Sequence, residues 1–327
     1  MKSYTLKATA DSGTLELVDA PVPEPGPQQL LVKMRAAALN RGEFIIGHGL
    51  TKAGTVKPIG MEGAGEIVKA GAGVTGFAAG ERVMGRCAAA FSEFAVMDER
   101  EAIAIPAGLS FEQAAAVPLT FLVAQDILFA QGRLAAGEWL LVLGVTSGVG
   151  VSALQAAKAR GAKVIGTSGS ADKLARLAPE GLDLAICTRG PDFHAQVLEA
   201  TGGKGVNLVV NTVGGTVFAE AIRSMAFEGR YGQVGYVDGV LEAKIDLQVL
   251  HAKRLTLFGV SNKLRTAEQR ATGVPGFVAD ILPGIASGRI RPIVDRVFPF
   301  AALAAAREHM EANRHVGKIV IAMGEAA

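Results

Sequence analysis

Residues 138 to 170, EWLLVLGVTSGVGVSALQAAKARGAKVIGTSGS, set the tightest limit on what this chain folds into. Trp139 to Leu143 read as a buried parallel strand, VSALQAAKAR as a helix, Gly161 as its stop and KVIGT as a second strand. Strand, glycine turn, helix and strand within about 30 residues make a βαβ unit with an anion-binding turn. The backbone amides of Thr146, Ser147, Gly148, Val149 and Gly150 then surround a helix N-terminus where a pyrophosphate binds, and Gly148 and Gly150 permit close approach.

The second strand lacks a terminal acid. Asp or Glu at that place accepts hydrogen bonds from ribose hydroxyls and repels a 2′-phosphate. Here the strand runs into SGSADK, where Ser168 and Ser170 donate and Lys173 neutralises, so NADPH is the predicted cofactor.

The rest of the chain places this unit. A length of 327 residues, half of them hydrophobic, exceeds what one core usually organises and predicts two domains. From Leu15 to about Ala104, short apolar runs alternate with turn signals, which predicts β structure with strands in LLVKMRAAAL and GAGEIVKA. From about Thr120 the pattern becomes βαβ, with strands expected at Trp139 to Leu143, Lys163 to Thr167, Leu182 to Cys187, Val206 to Asn211, Tyr231 to Val234 and Leu255 to Phe258. Six such strands suffice for a doubly wound dinucleotide fold. The tail is expected to carry a strand in GRIRPIVDRVFPF, a helix in AALAAAREHMEANR and a last strand in GKIVIAM, and to rejoin the first domain.

Charge and cysteine content exclude several classes. Lys and Arg number 33 against 31 Asp and Glu, a net charge of +2 that draws no polyanion, so no nucleic-acid partner is expected. Cys87 and Cys187 are far apart and belong to no metal-spaced cluster. The start MKSYTLKATADSG is not a signal peptide, and no run of about 18 apolar residues follows, so a cytoplasmic protein without membrane association is expected.

AAALNRGEFIIGHG, GMEGAGEIVKAGAGVTGFAAGERVMG, IPAGLSFEQAAAVPLTFLVAQDIL, GKGVNLVVNTVGG and NRHVGKIVIAM follow one another in an order and spacing that resemble the medium-chain dehydrogenase/reductase superfamily, in its zinc-free quinone oxidoreductase branch. The resemblance covers nearly the whole chain. It implies an α/β protein in which a Rossmann doubly wound parallel sheet is joined to a GroES-like, mainly β domain formed by both chain ends. The expected division is 1–120 for the first part of the GroES-like catalytic domain, 121–261 for the Rossmann NADPH-binding domain and 262–327 for the return.

Zinc alcohol dehydrogenases place Cys and His ligands where this chain has Asn40 and Met61. An amide and a thioether do not replace thiolate and imidazole around catalytic zinc, so no metal is expected. Other departures are Ser147, where the branch commonly has glycine, and Thr188, where a tyrosine often lies beside the 2′-phosphate.

Without zinc, the favoured acceptor is one that spreads its own developing charge, a quinone or an α,β-unsaturated carbonyl. The resemblance makes Asn40 the candidate for orienting substrate or the nicotinamide ribose, with Glu43 beside it as the second catalytic candidate. It places Thr120 at the domain junction by the nicotinamide, and topology puts Asn211, Gly235 and Tyr236 on the carboxyl edge of the sheet, where ligands bind. His48 is a weaker candidate, a lone loop histidine. RLTLFGVSN is a β-rich run that relatives pair across a dimer axis, so a homodimer is expected. The related enoyl-thioester reductases use a tyrosine shortly after the Asn segment, and this chain has none there. The alternatives are a zinc-type alcohol dehydrogenase relative and a nucleotide-binding protein with little turnover.

Overall fold

A computed structural model describes residues 1–9, 13–45 and 54–323. The chain divides into two compact units, Met1–Leu119 with Lys263–Pro275 and Pro292–Ala327, and Thr120–Asn262 with Gly276–Arg291.

In chain order the first unit supplies β1 (Lys2–Ala8), β2 (Gly13–Asp19), β3 (Gln29–Ala38), β4 (Val56–Pro58), β5 (Glu62–Ala70), β6 (Arg82–Ala88) and β7 (Phe94–Ala104). The second contains β8 (Trp139–Leu143), β9 (Lys163–Ser168), β10 (Leu184–Cys187), β11 (Val206–Asn211), β12 (Met225–Gln233) and β13 (Thr256–Gly259). The chain then returns with β14 (Val294–Pro299) and β15 (Lys318–Ala322).

The first unit is a mainly antiparallel β structure. Its larger sheet runs β14-β15-β3-β5-β6-β7, and an added β3–β7 pairing closes β3, β5, β6 and β7 into a barrel. Leu30, Val32, Met34, Ile67, Val83, Phe91 and Met97 are buried in its core. Strand alternation sends one face of each strand inward, as the period of two requires.

The second unit is the six-stranded sheet β10-β9-β8-β11-β12-β13, parallel throughout. Numbered within the unit, that order is 3-2-1-4-5-6, the doubly wound dinucleotide order with its reversal between the first and fourth strands. Its central strands are apolar along their length because helices cover both faces, and Leu141, Leu143, Ile165, Val209 and Tyr231 are buried there. Together the two architectures are the Rossmann-type and GroES-like pair that the sequence implies.

The return is interrupted. Instead of rejoining the β unit as one piece, Gly276–Arg291 clusters with the parallel-sheet unit. Phe277, Ile281, Ile285 and Ile290 bury their side chains, and Asp280 accepts hydrogen bonds from Gln125 (3.0 Å) and Arg160 (2.7 Å) of that unit. The strand expected in GRIRPIVDRVFPF is confined to Val294–Pro299, after Pro292, which has no amide to give a ladder. Among the described residues no helix is long and apolar enough to cross a membrane.

Candidate active site

The carboxyl edge of the parallel sheet is built by the turn after β8. Ser147 caps the helix Gly148–Arg160, accepting a hydrogen bond from Gly150 N at 3.1 Å while its hydroxyl donates to Gly144 O at 2.8 Å. That cap gives the serine its role: it ties the turn to the helix. The amides of Gly148 and Val149 have no acceptor among the described residues and sit at the positive end of a 13-residue helix. The Gly150 amide, expected with them, is already held by Ser147. Gly150 serves packing, since a Cβ there would lie 2.4 Å from Gly144 O and 2.7 Å from the Val145 backbone.

The place of the missing acid is polar and cationic. Ser168 ends β9 and pairs its hydroxyl with Thr146 Oγ1 at 3.3 Å; both are buried. Ser170 caps the helix Ala171–Arg176 through the Lys173 amide, so Lys173 stands in its first turn, half-buried. Thr188 follows β10 and is occupied locally, with its hydroxyl donating to Asp192 and accepting from Gly190 N.

Sequence reasoning missed Arg189. Its side chain rests on Gly169, where an added Cβ would lie 2.6 Å from Arg189 Cγ and 2.9 Å from Cζ, so the guanidinium lies beside the Ser168–Ser170 turn. The signal was a basic residue two positions after the third parallel strand, which β9–β10 pairing brings next to the second. These residues fit an NADP 2′-phosphate: donors and cations replace a repelling carboxylate.

The other candidates of this unit differ in how they present themselves. Thr120 is buried, at the start of the unit. Gly235 and Tyr236 follow β12, and Tyr236 is exposed. Asn211 needs correction as a ligand contact. Its side chain is fully buried, donating to Gly214 O (2.9 Å) and Tyr231 Oη (2.6 Å) and accepting from Val213 N (2.8 Å) and Gly214 N (3.1 Å). An amide with all its capacity spent holds the loop after β11 in shape and has nothing left to offer a cofactor.

In the β unit, Asn40 and Glu43 come together as expected, in company the sequence did not reveal. Asn40 stands before the short helix Arg41–Phe44 but makes no side-chain capping bond. Its Nδ2 donates to Glu43 Oε1 (3.1 Å) and Glu62 Oε1 (3.0 Å), and its Oδ1 accepts from Lys318 Nζ (2.8 Å). Lys318 also donates to Glu62 Oε1 (2.7 Å) and Leu39 O (2.7 Å), and Glu62 Oε2 accepts from Leu119 N (2.7 Å). Glu43, Glu62 and Lys318 are all buried.

Burial is the main cause that pushes the Glu43 carboxyl up to about 7, while Asn40, Lys318 and the Gly60 amide work against it. Gly60 N reaches Glu43 Oε2 at 2.9 Å, and Gly60 has φ 104 with a would-be Cβ 2.5 Å from Phe91 N, so only glycine fits this approach.

These residues do not suit catalytic zinc. Such a site takes thiolate, imidazole or a free carboxylate, and here the donors are the Asn40 amide, the Met61 thioether and a Glu62 whose oxygens already serve Lys318, Asn40 and Leu119. Among the described residues no group of three or more His, Cys, Asp or Glu is placed to hold a metal ion. Glu43, Met61, Arg86 and Cys87 line a cavity of about 440 Å³ within this unit. His48 lies outside the described residues.

Comparison with known proteins agrees with this geometry. Residues 26–125 match the alcohol dehydrogenase GroES-like domain and 148–272 the zinc-binding dehydrogenase domain. The chain is 30% identical over 319 residues to the highly reducing polyketide synthase ALT1 of Alternaria alternata, covering 96% of this chain and 12% of that protein. It thus spans only 12–15% of the length of the curated relatives it matches first. Among solved structures, mycobacterial Rv1454c complexed with NADPH superposes with a TM-score of 0.86 at 28% identity, over 99% of this chain and 100% of that one. The quinone oxidoreductase of Pseudomonas syringae pv. Tomato DC3000 gives 0.84 at 27%, over 98% and 99%. With both domain models matched in order, a doubly wound sheet in one unit and a GroES-like barrel in the other, and full-length likeness to quinone oxidoreductases, the chain belongs to the medium-chain dehydrogenase/reductase superfamily, in its quinone oxidoreductase branch.

Proposed function

We propose that this chain is an NADPH-dependent oxidoreductase that reduces a quinone or an α,β-unsaturated carbonyl without a catalytic metal. The Asn40–Glu62–Lys318 network carries the reading, because the half-buried Asn40 amide and the Met61 thioether stand where metal catalysis needs thiolate and imidazole, and Lys318 and Asn40 already occupy the neighbouring Glu62 carboxylate. An isolated carbonyl accepting hydride builds full alkoxide charge, whereas a conjugated acceptor delocalises it and needs only hydrogen-bond donors.

NADPH, when bound, supplies the hydride. The Gly148 and Val149 amides would hold its pyrophosphate, and Ser168, Ser170, Lys173 and Arg189 its 2′-phosphate, with Thr146, Thr120, Gly235 and Tyr236 along the same path. The NADPH complex of the mycobacterial neighbour supports this choice. Asn40 positions the reactants through its neighbours. Glu43, with its carboxyl near 7, holds a proton at the cavity wall in the range where a proton is useful.

The test is NADPH consumption with a matched enone and saturated ketone, with and without chelator. A strong preference for the enone, unchanged by chelator, is the expected result. Equal rates on both, or activity lost on chelation and restored by zinc, would return the chain to the zinc-type alcohol dehydrogenases, and tight NADPH binding without turnover on any acceptor would favour a nucleotide-binding role.

A second reading, reduction of an acyl-thioester, draws support from the polyketide synthase match. Turnover of an enoyl-thioester faster than any quinone or free enone would favour it. A homodimer through β13 fits the sheet order, in which β13 is an edge strand with Leu257 exposed. A cytoplasmic setting, without nucleic-acid or membrane partners, completes the proposal.

A further inference from the structure

Arg86 stands apart from the other charges around the 440 Å³ cavity of the β unit. Glu101 is held by Arg270 through two bonds of 2.8 and 2.9 Å. Asp98 is held by Arg100 through bonds of 2.9 and 2.8 Å. Glu43 is held by Asn40 and the Gly60 amide, and Lys57 also has a partner. The Arg86 guanidinium, half-buried in the same lining, has neither a hydrogen bond nor an ion pair among the described residues. Arginine is rarely drawn out of water without a partner, so an unpaired one at a cavity wall points to an absent anion.

The backbone aims it there. Along β6 and β7 the register jumps from Gly85–Ala102 to Cys87–Met97, which leaves Arg86 and the chain between Met97 and Ala102 outside that ladder. Such interruptions bend a strand and redirect a side chain, and they recur beside sites. The cavity lies at this break, with Arg86 and Cys87 on one strand and Asp98 and Glu101 on the other. Burial and the nearby Arg270 lower the Arg86 pKa, with Glu101 and Glu43 working against them, and an anion bound to the guanidinium would raise it further.

We propose that Arg86 is the anchor of a carboxylate subsite, so that the preferred acceptor is an α,β-unsaturated carbonyl carrying a carboxylate group. This rests on the enone-reductase reading above. A monoanion suits the cavity better than a phosphate, because of the two guanidinium groups in its lining Arg270 is already taken by Glu101, which leaves Arg86, while Glu43, Asp98 and Glu101 also line it. A planar fork matches a carboxylate with two parallel bonds. The volume accommodates a small acceptor.

The test uses the full chain with NADPH and two acceptors, (E)-4-oxopent-2-enoate and its methyl ester. The acid should have a kcat/KM at least about tenfold above the ester, the worth of a charge-assisted pair. Arg86→Met should bring the ratio to about one, and Arg86→Lys, which keeps the charge but loses the fork, to an intermediate value. A ratio near one in the wild type, or an unchanged ratio in either folded variant, overturns the subsite. Should Arg86→Met not fold, Arg86→Lys alone reads the ratio. Should neither acceptor be reduced, the proposed reaction fails, and calorimetry decides the subsite separately: 4-oxopentanoate should bind the wild type, its methyl ester should not, and Arg86→Lys should weaken the binding. No binding of 4-oxopentanoate, or equal binding of acid and ester, overturns the proposal.

Discussion

Lys318 Nζ lies 2.7 Å from Glu62 Oε1, with 7% of the lysine side chain and none of the glutamate exposed. The two residues are 256 positions apart in sequence, one on β5 and one on β15. This pair is the centre of the polar network around Asn40.

Lys318→Met should therefore destabilise the protein by roughly 3–5 kcal/mol, because it leaves Glu62 charged, buried and short of its cation. The double variant Lys318→Met with Glu62→Gln should recover part of that loss, since the uncompensated charge is gone. Urea denaturation of the two variants and the wild type measures both. A double variant no more stable than Lys318→Met would show that packing, not charge, dominates at this place.

Glu43 makes stability depend on pH in an unusual direction. Its folded carboxyl is raised from 4.5 to about 7, so the folded state binds the proton more tightly than the unfolded chain. The associated stability is complete below about pH 4.5 and is lost as pH rises through about 7, a change of about 3 kcal/mol. Measured against Glu43→Gln, the wild type should lose ground across that window. The glutamine variant gives up one acceptor to Asn40 or Gly60, a cost that does not vary with pH. Parallel pH profiles for the two proteins would mean that Glu43 titrates near its ordinary range.

Cofactor preference should follow the turn after β9. NADPH should bind at least tenfold tighter than NADH, about 1.4 kcal/mol, through charge-assisted contacts to the 2′-phosphate. Arg189→Ala should weaken NADPH and leave NADH almost unchanged, as expected for a residue meeting only the phosphate. Fluorescence titration gives all four constants. Equal wild-type constants would remove the 2′-phosphate site, and a variant weakened equally for both cofactors would place Arg189 elsewhere.

The turn after β8 separates packing from capping. Gly150→Ala puts a methyl group within 2.4 Å of Gly144 O, a backbone atom that cannot swing aside, so a loss of about 1–3 kcal/mol is expected. Ser147→Ala removes only the cap and should cost about 1 kcal/mol. Thermal unfolding orders the two. A bulky residue at 150 thus disturbs the fold itself and is no clean probe of phosphate binding.

How much of this was legible depended on whether a signal was local. The six parallel strands and the capped helix between β8 and β9 were readable because apolar runs, Gly161 and the turn residues act within a few positions. Asn40 and Glu43 were readable as a pair because they are only three positions apart. Lys318 was not, although a lone cation entering the apolar run KIVIA was a sign that it had a buried partner. Its partner is set by β15 pairing with β3, and β3 with β5, which no local pattern encodes. Asn211 misled for the opposite reason: its position on the carboxyl edge was right, but whether an amide faces a ligand or its own loop depends on Tyr231 and Gly214. The return of Gly276–Arg291 to the parallel-sheet unit was likewise decided by burial of Phe277 and Ile281, which a simple tail assignment overlooks.

Asn40→Ala distinguishes a positioning role from a merely structural one. Its amide serves two carboxylates and one ammonium, so truncation leaves Glu43 Oε1 without its donor and takes one of three acceptors from Lys318. That should cost about 1–3 kcal/mol of stability. If the network also orients the reactants, kcat on an enone should fall by about tenfold or more at temperatures well below unfolding, because small displacements are costly in a preorganised site. NADPH affinity should stay near the wild-type value, since the phosphate contacts belong to the other unit. Turnover and cofactor binding measured on the folded variant decide the matter. A variant that melts earlier yet turns over at the wild-type rate would reduce Asn40 to a brace for Glu62 and Lys318.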